Sequence, residues 1–245
     1  GSDGVTVLSG SSTASSSTII IQSDILTIES SQSGGHTLRL NTSGTVTVES
    51  ISDSFATAFT WPPSNLNVGS TLGGLTIGKS GNTTAITVNS DITLDGALTV
   101  YGPLTLGGSI TSAGVQSYNG DVTIGAATVS LSTMGGSSTG SDITFSGNIN
   151  GATANSNSLF MLSGTGAISV GGNVGSSAAL RYLGLGGTGQ YIPSKAWNFA
   201  YTGAEQTFIA TYTGTYQLEV WGAEGGSGDS TSTLSNAAGG KGGFS

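Results

Sequence analysis

Cysteine is absent from the 245-residue chain, which excludes disulfides, Cys-ligated zinc and thiol catalysis together. Its absence does not by itself place the protein in the cytosol. Charge is equally scarce: 7% of residues are Asp, Glu, Lys or Arg, against about 25% in ordinary soluble domains. Solubility must then come from Ser, Thr, Asn and Gly. The only cations are Arg39, Lys79, Arg181, Lys195 and Lys241, against thirteen acids, for a net charge of -8. Five scattered cations cannot neutralise a phosphate track, so no nucleic acid is expected as a partner. The longest aliphatic run is Ile19-Ile20-Ile21, far short of a membrane span. The start of the chain shows no signal-peptide pattern, so any export address is expected outside it. One histidine, His36, cannot supply a His-rich metal site. Helical periodicity is missing too, since Gly and β-branched residues interrupt every candidate.

Alternation at period two is present throughout, as in Leu38-Arg39-Leu40, Val46-Thr47-Val48, Leu75-Thr76-Ile77 and Ile86-Thr87-Val88. Each reads as a short strand with one face buried. Ile86-Thr87-Val88, Leu104-Thr105-Leu106 and Val122-Thr123-Ile124 recur at steps of eighteen residues, and Ile143-Thr144-Phe145 follows after twenty-one. Three short strands and three corners per coil would stack these tripeptides. Ile86, Leu104, Val122 and Ile143 would form one inward column, and Val88, Leu106, Ile124 and Phe145 the next. Glycine falls at 96, 102, 108 and 114, where a chain that turns every six residues needs backbone conformations a Cβ would obstruct. This is repeat logic, in which each coil hides its apolar face only against neighbouring coils.

The expected fold class is therefore all-β: a parallel, right-handed β-helix solenoid over residues 66–190. Right-handed coils tolerate the register slips seen here, where Gln116 and Tyr118 take the inward phase and Val129 and Leu131 alternate after Thr128. Residues 1–65 are read as N-terminal coils or a cap. Within them the segment 52–65, with Trp61-Pro62-Pro63, reads as a loop or flanking decoration, while 133–141 and 152–158 read as polar loops. The succession ITLDGALTVYGPLTLGG, YNGDVTIGAATVSLS and ITFSGNINGA resembles the β-strand repeats of very large bacterial surface proteins of the filamentous-haemagglutinin kind, over residues 66–188. The resemblance implies an extracellular setting.

From residue 191 the texture changes, with Tyr191, Trp197, Phe199, Tyr201, Phe208, Tyr212, Tyr216 and Trp221 crowded together. Residues 191–245 are expected to open a small antiparallel module. YTGTYQLEVWGAEGG and the later GGKGGFS resemble the start of the glycine-rich domain of anaplastic lymphoma kinase and leukocyte tyrosine kinase. That resemblance implies a jelly-roll-like β-sandwich with glycine-rich polyproline-II helices. Most of such a domain would lie beyond Ser245, so the chain reads as a fragment of a longer polypeptide or a module completed by another chain.

No residue qualifies as a catalytic, cofactor-binding or metal-binding site. His36 lies in a glycine-rich loop without a recognisable triad. Asp91 and Asp95 invite a glycosidase or calcium reading, but the hexad pattern has them facing different directions. Asp121 and Asp142 stand alone. The glycine clusters at 171–175 and 184–187 lack the helix or Lys-Ser/Thr of a phosphate loop. Thr87, Thr105, Thr123 and Thr144 would form an outward ladder, with Thr93 and Thr111 a shorter one. Such arrays can order water, although Thr is simply a good exposed strand residue. Trp61, Tyr101 and Tyr118 are carbohydrate-stacking candidates, or covers for the ends of a thin core. The leading expectation is a non-enzymatic stalk and contact module of an extracellular bacterial adhesin or surface fibre, without cofactor, whose partner is a surface glycan or protein receptor. The alternatives are a self-assembling filament subunit or a β-helix polysaccharide-degrading enzyme using Asp91 and Asp95.

Overall fold

Runs in which apolar residues alternate with Thr or Ser become strands whose apolar side chains all enter one core. The structure is a computed structural model that describes residues 16–28, 38–40, 42–68, 71–136, 139–187, 191–193 and 207–210. All of them lie in the first of two units into which the chain divides, Gly1–Tyr212. Among the described residues there is no helix, and every strand pairing is parallel. The described residues form an all-β parallel solenoid.

Each coil crosses three walls. The first wall stacks Phe59–Trp61, Ile86–Val88, Leu104–Leu106, Val122–Ile124 and Ile149–Gly151, ending on a bridge from Ile149 to Val174. The second and third walls form one 13-stranded sheet that joins through the ten-residue strand Ile92–Tyr101. Its first residues pair with Ile110–Ser112 on the second wall, and its last with Gln116–Asn119 on the third. The second wall continues through Thr128–Ser132, Ser158–Leu162, Tyr182–Gly186 and Thr207–Ala210. The third wall runs from Ile19–Gln22 through Thr45–Glu49, Leu72–Ile77, Ile92–Tyr101, Gln116–Asn119, Ile143–Phe145 and Ile168–Val170 to Tyr191–Pro193. Seven parallel steps at about 4.8 Å each make this wall about 34 Å tall.

The eighteen-residue repeat holds where it was read. Leu104 is paired with Ile86 below and Val122 above, and all three are buried. The column does not go on to Ile143. Val122 pairs with Ile149, a step of 27 residues, because the 133–141 loop lengthens that coil. Ile143 belongs to the third wall, over Gln116, and Phe145 stacks there on the Tyr118 ring, with 4.7 Å between centroids. Inner strands keep their length while corners absorb the difference: first-wall steps are 27, 18, 18, 27 and 25 residues.

The segment 52–65 is not a decoration. Phe59–Trp61 is the lowest strand of the first wall, and Phe55, Phe59 and Trp61 are buried, with Phe55 stacked on Phe59 at 4.9 Å. Aromatic bulk replaces aliphatic residues in this coil, which hid the strand from an alternation search. The slips did mark real features: Gln116 and Tyr118 point inward, as do Val129 and Leu131. At the far end, Tyr191–Pro193 and Thr207–Ala210 pair in parallel with the solenoid. These two strands extend the solenoid past residue 190 and are not the antiparallel pairing expected from Tyr191; the other residues of the expected glycine-rich module lie outside the described residues.

At Gly96, Gly108 and Gly114 glycine has a different reason from the one expected. Of positions 96, 102, 108 and 114, only Gly102 takes a positive φ, +116°. At Gly96 an added Cβ would run into the Gly73 carbonyl of the preceding coil. These corners are bare because successive coils touch backbone to backbone.

Candidate functional site

The carboxylates and amides that could carry chemistry sit mostly just before a strand, where the chain turns a corner. There each accepts a backbone N–H from the equivalent corner of the following coil. On the second wall Asp91 Oδ1 accepts from Ser109 N at 2.7 Å, and Ser109 Oγ in turn from Ser130 N, inside the strand Thr128–Ser132, at 3.0 Å. On the first wall Asp121 Oδ1 accepts from Asn148 N at 2.8 Å, and Asn148 Oδ1 from Asn173 N at 2.9 Å. On the third, Asp142 Oδ1 accepts from Ala167 N at 2.7 Å. Corner N–H groups lack a strand partner, and a short polar side chain one coil below supplies it. Asp24 does the same for Ser52, accepting from its N–H and its hydroxyl, both at 2.8 Å. Those hydrogen bonds, the backbone one foremost, hold the Asp24 carboxyl below the ordinary carboxylate value.

Asp91 and Asp95 do not face different directions. Ile92 and Leu94 are buried while Asp91, Thr93 and Asp95 are exposed, so the two acids share the outward phase. Four residues of extended chain hold their backbones about 13 Å apart. Among the described residues no three of His, Cys, Asp and Glu come together. His36 lies outside the described residues.

Two clefts open on the early coils. The larger, about 340 Å³, is lined by Trp61, Pro62, Val68, Leu72, Asp91 and Thr93 among others. Its single carboxylate already holds Ser109. Trp61 is only 2% exposed and Tyr118 only 1%, so neither presents a face to a sugar, which leaves the core-covering reading of the two. Tyr101 is half-buried at its corner. The smaller cleft, about 190 Å³, lies between residues 24–28 and 55–64.

Outward hydroxyls form two ladders. Thr60, Thr87, Thr105 and Thr123 align on the first wall and end at Asn150. The expected fourth member, Thr144, stands instead on the third wall, in a longer row of Thr47, Thr76, Thr99, Ser117, Thr144 and Ser169. Thr93 and Thr111 are paired as expected. On the second wall the outward positions of Ser158–Leu162 carry Phe160 and Leu162, 36% and 42% exposed. Phe160 lies over Gly184, which leaves room for its ring.

Sequence reading missed Asn82. It is buried beside the corner at Gly102, donates to the Tyr101 and Thr84 carbonyls at 2.8 and 3.0 Å, and accepts from Ser54 Oγ and Phe55 N. The only signal was an Asn directly after Gly81, which many exposed loops share. No protein-family model, curated protein or solved structure matches the chain. The described surface carries regular hydroxyl rows, corner acids bonded to the following coil and two clefts.

Proposed function

We propose that the chain is a non-enzymatic structural segment of an extracellular bacterial adhesin or surface fibre, acting as stalk and contact module. The observation that carries this reading is the use of the corner acids: Asp24, Asp91, Asp121 and Asp142 each tie one coil to the next. Acids committed to backbone N–H groups brace a column and are poor general acids or bases. The scarcity of charge suits a polar hydroxyl-covered shaft whose partner is a surface glycan or a protein receptor. The winding is taken as right-handed, the hand of nearly all crossovers between parallel strands. The residues after Ala210, with Tyr212, Tyr216 and Trp221, are taken as the beginning of the glycine-rich sandwich, where the contacts would be made.

Coil insertion tests the stalk. Five extra copies of residues 104–121 placed in tandem should lengthen the particle in electron micrographs by about 24 Å, at about 4.8 Å per coil, with unchanged width. A particle that swells without lengthening would overturn the stalk. Polysaccharide turnover by the full chain that is lost in Asp91→Asn would establish the enzyme reading instead.

A further inference from the structure

The chain contains two Asn-Gly pairs, Asn119-Gly120 and Asn150-Gly151. Asparagine before glycine is chemically labile because the following backbone nitrogen can attack the side-chain amide carbon with no Cβ in the way. The solenoid treats the two pairs in opposite ways. Asn150 is locked: its Oδ1 accepts from Ser177 N at 2.9 Å and Ala178 N at 3.3 Å, and the attacking nitrogen of Gly151 is itself committed to Ala178 O at 2.9 Å. Asn119 is exposed at the end of its strand, and its amide has one long contact, Nδ2 to Val100 O at 3.4 Å. Among the described residues no hydrogen-bond partner is found for the Gly120 N–H.

We infer that Asn119 is a site of spontaneous deamidation in the folded protein and that Asn150 is protected from it. Gly120 N attacks Asn119 Cγ and forms a C–N bond; the Cγ–Nδ2 bond breaks and ammonia leaves with the proton from Gly120 N. Water then opens the five-membered imide at either carbonyl, giving aspartate or isoaspartate. No oxidant or cofactor is required. The product places a new carboxylate two residues from Asp121, which holds Asn148 of the next coil. Where isoaspartate forms, one methylene enters the backbone at the corner where Gly102 N donates to Asn119 O at 2.9 Å. Both effects act on the joints with the coils directly below and above.

The test ages the full chain in mildly alkaline buffer and maps peptides by mass spectrometry, with enzymatic methylation to mark isoaspartate. Reaction at Asn150 must first break three hydrogen bonds that Asn119 does not have, so Asn119 should convert at least about tenfold faster, the factor supplied by roughly 1.4 kcal/mol. Amide exchange at Gly102 and Asn148 should rise with the converted fraction, and Asn119→Gln should abolish both changes. In urea the two asparagines should converge, because the difference belongs to the fold. Equal rates in the native protein, or no conversion at Asn119 while unfolded chains convert, would overturn the inference.

Discussion

Tyr118→Phe removes one oxygen from the middle of the solenoid, and the structure allows its cost to be worked out. The Tyr118 hydroxyl is buried and donates to Gln116 Oε1 at 2.8 Å. Gln116 Nε2 spends its two protons on Ser132 O at 2.9 Å and Ser112 Oγ at 3.0 Å, and the Ser112 hydroxyl donates to Gly114 O at 2.7 Å. Every donor in this buried chain is used, and it links the third wall of one coil to the second wall of the same and the following coil. Tyr118→Phe leaves Gln116 Oε1 buried without a donor, at about 1–3 kcal/mol. Gln116→Leu strands the Tyr118 hydroxyl instead, at a similar cost, and frees Ser132 O as well. In the double variant the broken Tyr118–Gln116 bond is counted once, so the two single losses should exceed the double loss by about 1–3 kcal/mol. Urea unfolding of all four proteins supplies the cycle, and native-state hydrogen exchange over residues 110–145 checks that the loss is local. Additivity within about 0.5 kcal/mol, or an unchanged Tyr118→Phe, would refute the claim that this network fixes the coil.

Burial holds the Tyr118 phenol well above its ordinary value of 10.0. The unfolded chain therefore releases this proton first, so stability should fall as pH rises past about 10, and Tyr118→Phe should flatten that alkaline limb in a pH series of urea midpoints. Asp24 has the opposite sign: its lowered value means the contribution is present above 3.8 and is lost as pH falls below it, so Asp24→Asn should flatten the acid limb. Leu104→Ala should cost about 2–5 kcal/mol, with exchange rising mainly in the flanking strands Ile86–Val88 and Val122–Ile124. Gly96→Ala should cost more than an ordinary exposed-corner substitution, because the new methyl meets the Gly73 carbonyl; a midpoint equal to wild type would contradict the backbone contact described there.

The solenoid was legible because the inward columns of short coils repeat at a fixed interval: Ile86, Leu104 and Val122 announce themselves by eighteen-residue steps. Legibility ended where corners changed length. Ile143 keeps the apolar-Thr-apolar pattern of its predecessors, and alternation alone cannot say which of three walls such a tripeptide occupies. Trp61 misled for a related reason, since an aromatic beside two prolines reads as a surface turn while here its ring fills the lowest coil. The outward phase shared by Asp91 and Asp95 follows from strand parity and was obscured only by assuming a corner between them. The corner caps were invisible because one isolated Asp or Asn per coil looks like solvated surface until the coils are stacked.

The caps that precede a strand all point the same way. In each pair that precedes a strand the oxygen belongs to the earlier coil and the N–H to the later one: Asp91 before Ser109, Asp121 before Asn148, Asn148 before Asn173, Asp142 before Ala167. A polypeptide emerging amino end first would meet, at each of these corners, a receptor already set in place by what was wound before it. Winding from the opposite end would have to leave each such nitrogen waiting. The molecule thus carries an arrow along its axis, and a chain halted part-way would finish in water-loving oxygens at these corners.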